Sequence, residues 1–178
     1  MKIGVLAAQG AFAEHMTMLH QLKVDAVTVR LPSQLKGLAG LIIPGGESTS
    51  ISNLMLSYNL TGEIRDRVQG GLPVLGTCAG MILLAKNVHP NGKVATLGVM
   101  DITVARNAFG RQRDSFETGL LIPALGDEPF PGVFIRAPLI EQVDKDVEIL
   151  AKLDNGTIVA VRQEKRVACA FHPELTED

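Results

Sequence analysis

The sequence is poor in aromatic residues and carries little excess charge. Its 178 residues include no tryptophan and one tyrosine, so a base-stacking surface for single-stranded nucleic acid is not expected. The formal net charge of -2 argues against a nucleic-acid-binding protein, because such proteins usually carry a basic excess. No apolar run approaches the length that crosses a bilayer. We therefore expect no nucleic acid and no membrane among its partners.

Cysteine is also scarce. Cys78 and Cys169 are too few for a disulfide framework, and the N-terminal stretch lacks the cleavage region of a signal peptide. Both features predict a reducing, cytoplasmic location. Hydrophobic residues make up 46% and charged residues 20% of the chain, which is the balance of a soluble globular protein. The length predicts a single domain spanning residues 1–178.

Short apolar runs alternate with helical periodicity in the first half of the chain. The helix after the first run has an apolar stripe, and His15 and His20 lie off it, so we expect both to be solvated. These two histidines are five positions apart and do not share a helix face, so we expect no metal site there. The stripe consists of Phe12, Met16, Leu19 and Leu22. The predicted strands are residues 2–8, 26–29, 40–43 and 73–77.

The second half changes to strand-like runs without helices between them. The dipeptide Asn155-Gly156 separates two of these runs and predicts a two-residue β-hairpin turn. A helix after residue 78 is predicted to end at Ala85 or Lys86, with a loop over residues 87–96. The expected fold is α/β, a three-layer open mixed sheet with helices on both faces. The strands predicted in this half are residues 99–105, 117–122, 133–135, 147–153, 157–161 and 167–171.

One cysteine lies at the apex of a predicted strand-to-helix turn. Cys78 stands between Gly76 and Gly80 in the pattern G-x-C-x-G. A nucleophile on such a turn has a strained backbone and needs very small residues two positions before and after it. The turn would raise the thiol above the sheet edge, beside the N–H groups that begin the next helix. A buried cysteine between two turn glycines fits the same pattern, so the motif alone does not decide.

Two glycines follow the third predicted strand. Gly45 and Gly46 allow the backbone to turn with its N–H groups exposed. Ser48 or Thr49 is expected to cap the helix that follows, and Thr61 the helix after it. The segment is not a phosphate loop, because neither G-x-x-x-x-G-K-[ST] nor G-x-G-x-x-G occurs.

Arginines are concentrated near two predicted strand ends. Arg106, Arg111 and Arg113 lie in one loop, and Arg136 ends another strand just before a proline. The guanidinium fork suits a carboxylate or a phosphate. A solvated loop with incidental charges is the alternative interpretation.

The last predicted strand leads to a histidine and a carboxylate. If the chain stays extended through Pro173, His172 and Glu174 lie on the same side. Glu174 could then set the tautomer and the orientation of the imidazole. Cys169 shares its strand face with apolar residues and is expected to be a packed core thiol.

Together, Cys78, His172 and Glu174 form a complete set for nucleophilic acyl chemistry. Cys78 would be the nucleophile, His172 would take its proton and return it to the leaving nitrogen, and Glu174 would orient His172. Backbone N–H groups of Ala79 and Gly46 are predicted to form the oxyanion hole.

These motifs resemble the signature segments of the class I (triad) glutamine amidotransferases, namely P-G-G-E-S, G-T-C-A-G and H-P-E. Further segments narrow the resemblance to the glutaminase subunit of pyridoxal 5′-phosphate synthase, and the similarity runs from end to end. They are G-V-L-A-A-Q-G-A-F-A-E-H at 4–15, P-G-G-E-S-T-S at 44–50, R-N-A-F-G-R-Q at 106–112, G-V-F-I-R-A-P at 132–138 and F-H-P-E-L-T at 171–176.

The resemblance implies a flavodoxin-like fold with Cys78 on a nucleophile elbow, and hydrolysis of L-glutamine through a glutamyl thioester on Cys78. Ammonia would pass to a separate (β/α)8-barrel synthase subunit that makes pyridoxal 5′-phosphate, in a complex of twelve plus twelve subunits. No cofactor is implied for the glutaminase. The positions implied to contact glutamine are Gly45, Gly46, Glu47, Arg106, Ile135 and Arg136.

Three alternatives use parts of the same pattern. The amidotransferase of another pathway, such as imidazole glycerol phosphate synthase, would share the triad but not the R-N-A-F-G-R-Q and I-R-A-P segments. A DJ-1-like cysteine protein, acting as a redox sensor or glyoxalase, would leave the H-P-E segment without a role. A non-catalytic partner subunit would have no need of an intact Cys78, His172 and Glu174.

Overall fold

The computed structural model describes residues 1–92, 94–106 and 115–177. Among these residues the helices are α1 (Phe12–Gln21), α2 (Ser48–Ser57), α3 (Leu60–Gln69) and α4 (Ala79–Leu84), with 3-10 turns at Pro32–Leu35 and Pro173–Leu175. The strands are β1 (Lys2–Leu6), β2 (Asp25–Val29), β3 (Gly40–Ile43), β4 (Val74–Thr77), β5 (Ala85–His89), β6 (Met100–Ala105), β7 (Ser115–Leu120), β8 (Phe130–Ile135), β9 (Leu139–Val143), β10 (Glu148–Lys152), β11 (Ile158–Gln163) and β12 (Arg166–Cys169).

A large mixed sheet forms the centre of the molecule. Its order is β2-β1-β3-β4-β12-β11-β9-β6-β5, and β10 also pairs with β11. The run from β2 to β12 is parallel, whereas β11 pairs antiparallel with β12, β9 and β10. β7 and β8 form a separate antiparallel hairpin. The fold is thus the predicted α/β architecture, with a parallel first half and antiparallel strands added by the second half.

The central strands are buried because helices cover them. Every residue of β3 is buried, and so is every residue of α4, which packs on β3, β4 and β12. A strand without an exposed face reads as a continuous apolar run rather than an alternating one. This explains the sequence of β3, Gly-Leu-Ile-Ile. None of the helices in the described ranges is long and apolar enough to cross a membrane.

Two strands were not predicted. β5 begins at Ala85, where the prediction extended helix α4, and it occupies part of the predicted loop over residues 87–96. Pairing with β6 overrides the turn signal of Pro90, which lies just beyond the strand. β9 follows Pro138 and carries exposed Glu141 at its centre, so it lacks an apolar run, and it is held by β6.

The predicted hairpin at Asn155-Gly156 is present, but its loop is longer. The N–H of Leu153 donates to the carbonyl of Thr157, so three residues, 154–156, form the turn within the five-residue connection between β10 and β11. Gly156 has a φ of 85°, a left-handed conformation that glycine adopts without a steric penalty.

Candidate active site

Four segments that follow parallel strands meet at one edge of the sheet. They carry Gln9 after β1, Gly45 after β3, Cys78 after β4 and His172 after β12. Ligands of open α/β sheets bind in the crevice beyond the carboxyl ends of the strands. The edge is therefore the place where this fold presents side chains for chemistry.

Cys78 occupies the strained turn that the sequence predicts. Its φ is 49° and its ψ is -104°, a conformation outside the common regions for a side-chain-bearing residue. The N–H of Cys78 donates to the carbonyl of Cys169 at 2.8 Å, which ties the turn to β12. A Cβ on Gly76 would lie 2.7 Å from Gly80, and one on Gly80 would lie 1.9 Å from the Ile43 carbonyl oxygen. Both positions therefore require glycine.

His172 and Glu174 are in direct contact, but the chain between them is not extended. β12 ends at Cys169, and Pro173–Leu175 is a 3-10 turn, so the extended chain through Pro173 on which the prediction from strand periodicity depended is absent. The tight turn brings Nδ1 of His172 to 2.7 Å from Oε1 of Glu174. The N–H of His172 also donates to the carbonyl of Val133 at 2.8 Å. The first contact orients the ring, and the second anchors the backbone of His172 to β8.

The pKa of His172 is far above its usual value. Burial acts to lower the pKa, but hydrogen bonds with Cys78 and Glu174, and the negative charges on these partners, raise it to about 10. The imidazole is therefore protonated at neutral pH, and its Nδ1–H donates to Glu174. A protonated ring beside Cys78 can stabilise a thiolate and deliver a proton to a leaving nitrogen.

His15 lies behind this pair, contrary to the prediction that it is solvated. It is 4% exposed, and it is the buried residue of α1. Its Nε2 lies 3.2 Å from Oγ1 of Thr77 and 3.3 Å from Oε2 of Glu174. Burial lowers the pKa of His15, which favours the neutral ring. The position of His15 outside the apolar stripe gave no indication of its burial. His20 is exposed, as predicted.

The loop after β3 is held by the loop after β1. The N–H of Ala11 donates to the carbonyl of Gly45 at 3.0 Å, and Oε1 of Gln9 accepts the N–H of Glu47 at 2.8 Å. A Cβ on Gly10 would lie 1.9 Å from the Gly45 carbonyl oxygen, so the two loops approach each other too closely for any other residue. Gln9, which was not among the predicted site residues, thus orients the peptide groups around Gly46.

Glu47, rather than Ser48 or Thr49, caps helix α2. Its carboxylate accepts hydrogen bonds from the N–H groups of Thr49 and Ser50. Although partial burial acts in the opposite direction, these bonds lower the pKa of Glu47 to about 2. Nη2 of Arg106 lies 3.4 Å from Oε1 of Glu47 and 3.2 Å from Oγ1 of Thr49.

The cap predicted at Thr61 is also wrong. Asn59 precedes helix α3 with a φ of 57° and forms no side-chain cap. Thr61 lies inside the first turn and is buried. The core thiol predicted at Cys169 is confirmed, since it is 3% exposed, and both cysteines are free.

One cleft of about 320 Å³ brings the predicted site residues together. Among ligand pockets, which run from roughly 300 to 1,000 Å³, it suits a small molecule. Glu174 does not line it, because it lies behind His172. Arg111 and Arg113 are outside the described residues. The predicted residues on its wall are Gly45, Gly46, Glu47, Cys78, Ala79, Arg106, Ile135, Arg136 and His172, joined by Gln9, Ala11, Ser48, Ile82 and Pro138.

The residues that line this cleft suit the cleavage of a polar amide or ester substrate. Cys78 and the protonated His172 line the cleft together with the cationic residues Arg106 and Arg136. The N–H of Ala79, the first residue of α4, has no intrahelical carbonyl to bond. In the parts of the chain that the structure describes, no group of three or more His, Cys, Asp or Glu side chains is arranged to hold a metal ion.

Comparisons with known proteins agree with this geometry. The profile of the SNO glutamine amidotransferase family matches residues 5–178. A protein of Herpetosiphon aurantiacus described as pyridoxal 5′-phosphate synthase subunit PdxT is 58% identical over all of this chain and 95% of its own length. The protein with the same description in Moorella thermoacetica is 56% identical over all of this chain and 94% of its own length.

Solved structures give the same result. A crystal structure described as a glutamine amidotransferase superposes with a TM-score of 0.94 at 49% identity, covering 99% of this chain and 92% of that one. A glutamine amidotransferase from Thermotoga maritima superposes with a TM-score of 0.64 at 12% identity, covering 98% of this chain and 76% of that one. At that identity the second likeness concerns the fold alone.

Proposed function

Because this chain belongs to the SNO glutamine amidotransferase family, we propose that it hydrolyses L-glutamine as the glutaminase subunit of pyridoxal 5′-phosphate synthase. The observation that carries the proposal is the series of contacts from Cys78 to His172 and from His172 to Glu174, in which Cys78 and His172 line the cleft. In this proposal residues 1–178 act as a single amidotransferase domain.

The reaction begins with attack by the Cys78 sulfur on the side-chain amide carbon of glutamine. The C–S bond forms, the carbonyl π electrons move to oxygen, and the backbone N–H groups of Ala79 and Gly46 stabilise the oxyanion. Protonated His172 then gives its proton to the amide nitrogen, and the C–N bond breaks to release ammonia. The product on the enzyme is a glutamyl thioester.

Hydrolysis of the thioester restores the enzyme. His172, now neutral, takes a proton from water, whose oxygen attacks the thioester carbon, and the C–S bond breaks to release glutamate. Glu174 remains a hydrogen-bond acceptor throughout and stabilises each imidazolium form of His172. Both half-reactions therefore use one histidine with one orientation.

In this proposal the part of the cleft wall that carries Arg106 and Arg136 binds the amino-acid end of glutamine. We assign the α-carboxylate to Arg106 and Arg136, because a guanidinium group recognises a carboxylate through paired N–H donors. Contacts with Glu47 and Thr49 hold Arg106 in place. The ionised carboxylate of Glu47 would attract the α-ammonium group, and Ile135 would cover the apolar methylenes.

We further propose that the ammonia passes to a (β/α)8-barrel synthase subunit, in a complex of twelve plus twelve subunits. The names of the PdxT relatives, which are subunits of pyridoxal 5′-phosphate synthase, support a partner subunit of that synthase, and the barrel fold and stoichiometry are proposed from the family resemblance. The cytoplasm is the proposed location, because two free thiols persist in a reducing compartment.

Ammonia release from L-glutamine tests this function. The wild type, Cys78→Ser and Cys169→Ser are each assayed with and without the synthase subunit. We expect release that requires Cys78, tolerates Cys169→Ser and increases with the partner. Release that persists in Cys78→Ser would refute the thioester mechanism, and no release from wild type in any mixture would refute the glutaminase function.

A further inference from the structure

A second histidine, His15, contacts the carboxylate of Glu174 at the oxygen that does not face His172. His15 projects from α1 into the interior and places Nε2 3.3 Å from Oε2 of Glu174, while Oε1 of the same carboxylate contacts His172. The side chain of Glu174 is fully buried and that of His15 is 5% exposed. His15 does not line the cleft, so it has no contact with substrate.

The buried carboxylate needs a second donor. Among the described residues, Oε2 of Glu174 has no hydrogen bond of standard geometry, and its ion-pair partner is Nε2 of His15. A carboxylate oxygen removed from water and left without a donor is strongly destabilised. In the Nε2–H tautomer of His15 the positive end of the N–H dipole lies 3.3 Å from Oε2, outside hydrogen-bond geometry but close enough to stabilise its charge, whereas the Nδ1–H tautomer would turn a lone pair toward the carboxylate.

Thr77 completes the chain of contacts. It is fully buried, directly precedes Cys78, and places Oγ1 3.2 Å from Nε2 of His15. Nε2 is thus shared between the strand that carries the nucleophile and the turn that carries the acid. Because α1 also packs on the 3-10 turn at residues 173–175, the ring has little freedom to move.

We propose that His15 is a positioning residue for the triad: the polar contact of its Nε2 edge with Oε2 holds the carboxylate of Glu174 in the rotation that presents Oε1 to His172. This inference rests on the proposed glutaminase function. It gives a physical role to His15 of the A-F-A-E-H segment, which lies outside the substrate cleft.

Two variants of matched polarity separate this role from simple packing. In His15→Gln the amide nitrogen reaches the position of the imidazole Nε2, so a polar N–H beside Oε2 of Glu174 is kept. In His15→Asn the amide nitrogen reaches only the position of Nδ1, so this N–H is lost. His15→Leu removes all polarity, and His20→Leu, at an exposed site on the same helix, is the control.

The variants are assayed as complexes with the synthase subunit. We expect kcat for glutamine hydrolysis to fall roughly ten- to a hundred-fold in His15→Asn and His15→Leu, as for the loss of one polar contact to a buried charged group. KM should stay within about two-fold, because His15 does not contact the substrate. His15→Gln should recover most of the wild-type kcat, and His20→Leu should match wild type.

A second readout does not depend on glutamine. Alkylation of Cys78 by iodoacetamide, with Cys78→Ser giving the background, reports the imidazole–thiol pair directly. It should slow in His15→Asn and recover in His15→Gln. Equal rates in Asn and Gln variants, or wild-type kcat in His15→Asn, would overturn the inference. Absence of ammonia release from wild type would instead refute the glutaminase function, and the alkylation series would still test His15.

Discussion

A Cβ atom added to Gly45 would lie 2.5 Å from Cε1 of His172 and 3.3 Å from Cβ of Cys78. The loop after β3 therefore packs directly on the two reacting side chains. Glycine at this position is a requirement of the active-site geometry, independent of the local backbone conformation.

Gly45→Ala should strongly lower the rate of glutamine hydrolysis without unfolding the protein. The new methyl group would push His172 out of line with Cys78, and a displacement of about 1 Å can cost roughly a hundred-fold in rate. We expect kcat to fall by this order. Gly62→Ala is the matched control, because no atom lies within 4 Å of its added Cβ. Wild-type activity in Gly45→Ala would contradict the packing described above.

The raised pKa of His172 predicts a stability that depends on pH. The folded-state pKa of about 10 exceeds the ordinary value of 6.5, so the folded state holds this proton more tightly than the unfolded state. The contribution to stability is fully present below pH 6.5 and is lost as the pH rises through 10. Urea unfolding of wild type and His172→Gln should show a difference that shrinks over this range, and a difference that grows with pH would refute it.

Glu47 should stabilise helix α2 in a pH-dependent way. Glu47→Ala should lower the free energy of unfolding by about 1 kcal/mol at pH 7, the typical value of an N-cap. The folded-state pKa of about 2 lies below the ordinary 4.5, so the contribution is present above pH 4.5 and is lost as the pH falls through 2. Denaturant titrations should show this loss, with exposed Glu128→Ala as the control. A deficit that does not change with pH would exclude a charged cap.

Arg106→Lys should weaken glutamine binding more than catalysis. Lysine keeps the charge but loses the planar fork that contacts Thr49 and would pair with a carboxylate. We expect KM to rise roughly ten-fold, as for one lost charge-assisted hydrogen bond, with kcat nearly unchanged. Arg162→Lys, which alters a surface ion pair with Glu148, should leave both constants unchanged. A fall in kcat with an unchanged KM would contradict this prediction and would show that Arg106 acts in the chemical step.

Local chemistry made much of the fold and the site predictable. The apolar run of β3 and the G-x-C-x-G pattern around Cys78 have few other structural solutions, because burial on both faces and a tight turn each select particular residues. The triad contact between His172 and Glu174 was also predicted, although the 3-10 turn that makes it was not. A carboxylate two positions away is within reach in either backbone.

The predictions failed where the structure of a segment depends on contacts with residues that are distant in the chain. His15 is off the apolar stripe of α1, so periodicity marks it as solvated, and only the position of Glu174, 159 positions later in the chain, makes its burial favourable. β9 has no apolar alternation from which a strand could be predicted, and its pairing with β6 makes this segment a strand. Glu47 was predicted as a substrate contact and not as a cap, because serine and threonine are commoner at that position.

The place of β12 in the sheet has a consequence for synthesis on the ribosome. This strand is the last in the described sequence, yet it lies between β4 and β11, in the middle of the sheet. Until residues 166–174 have left the exit tunnel, β4 has an open edge and Cys78 has no base. Cys78 is therefore synthesised 94 residues before His172, and the pair that is proposed to cleave glutamine can form only in the step that closes the sheet.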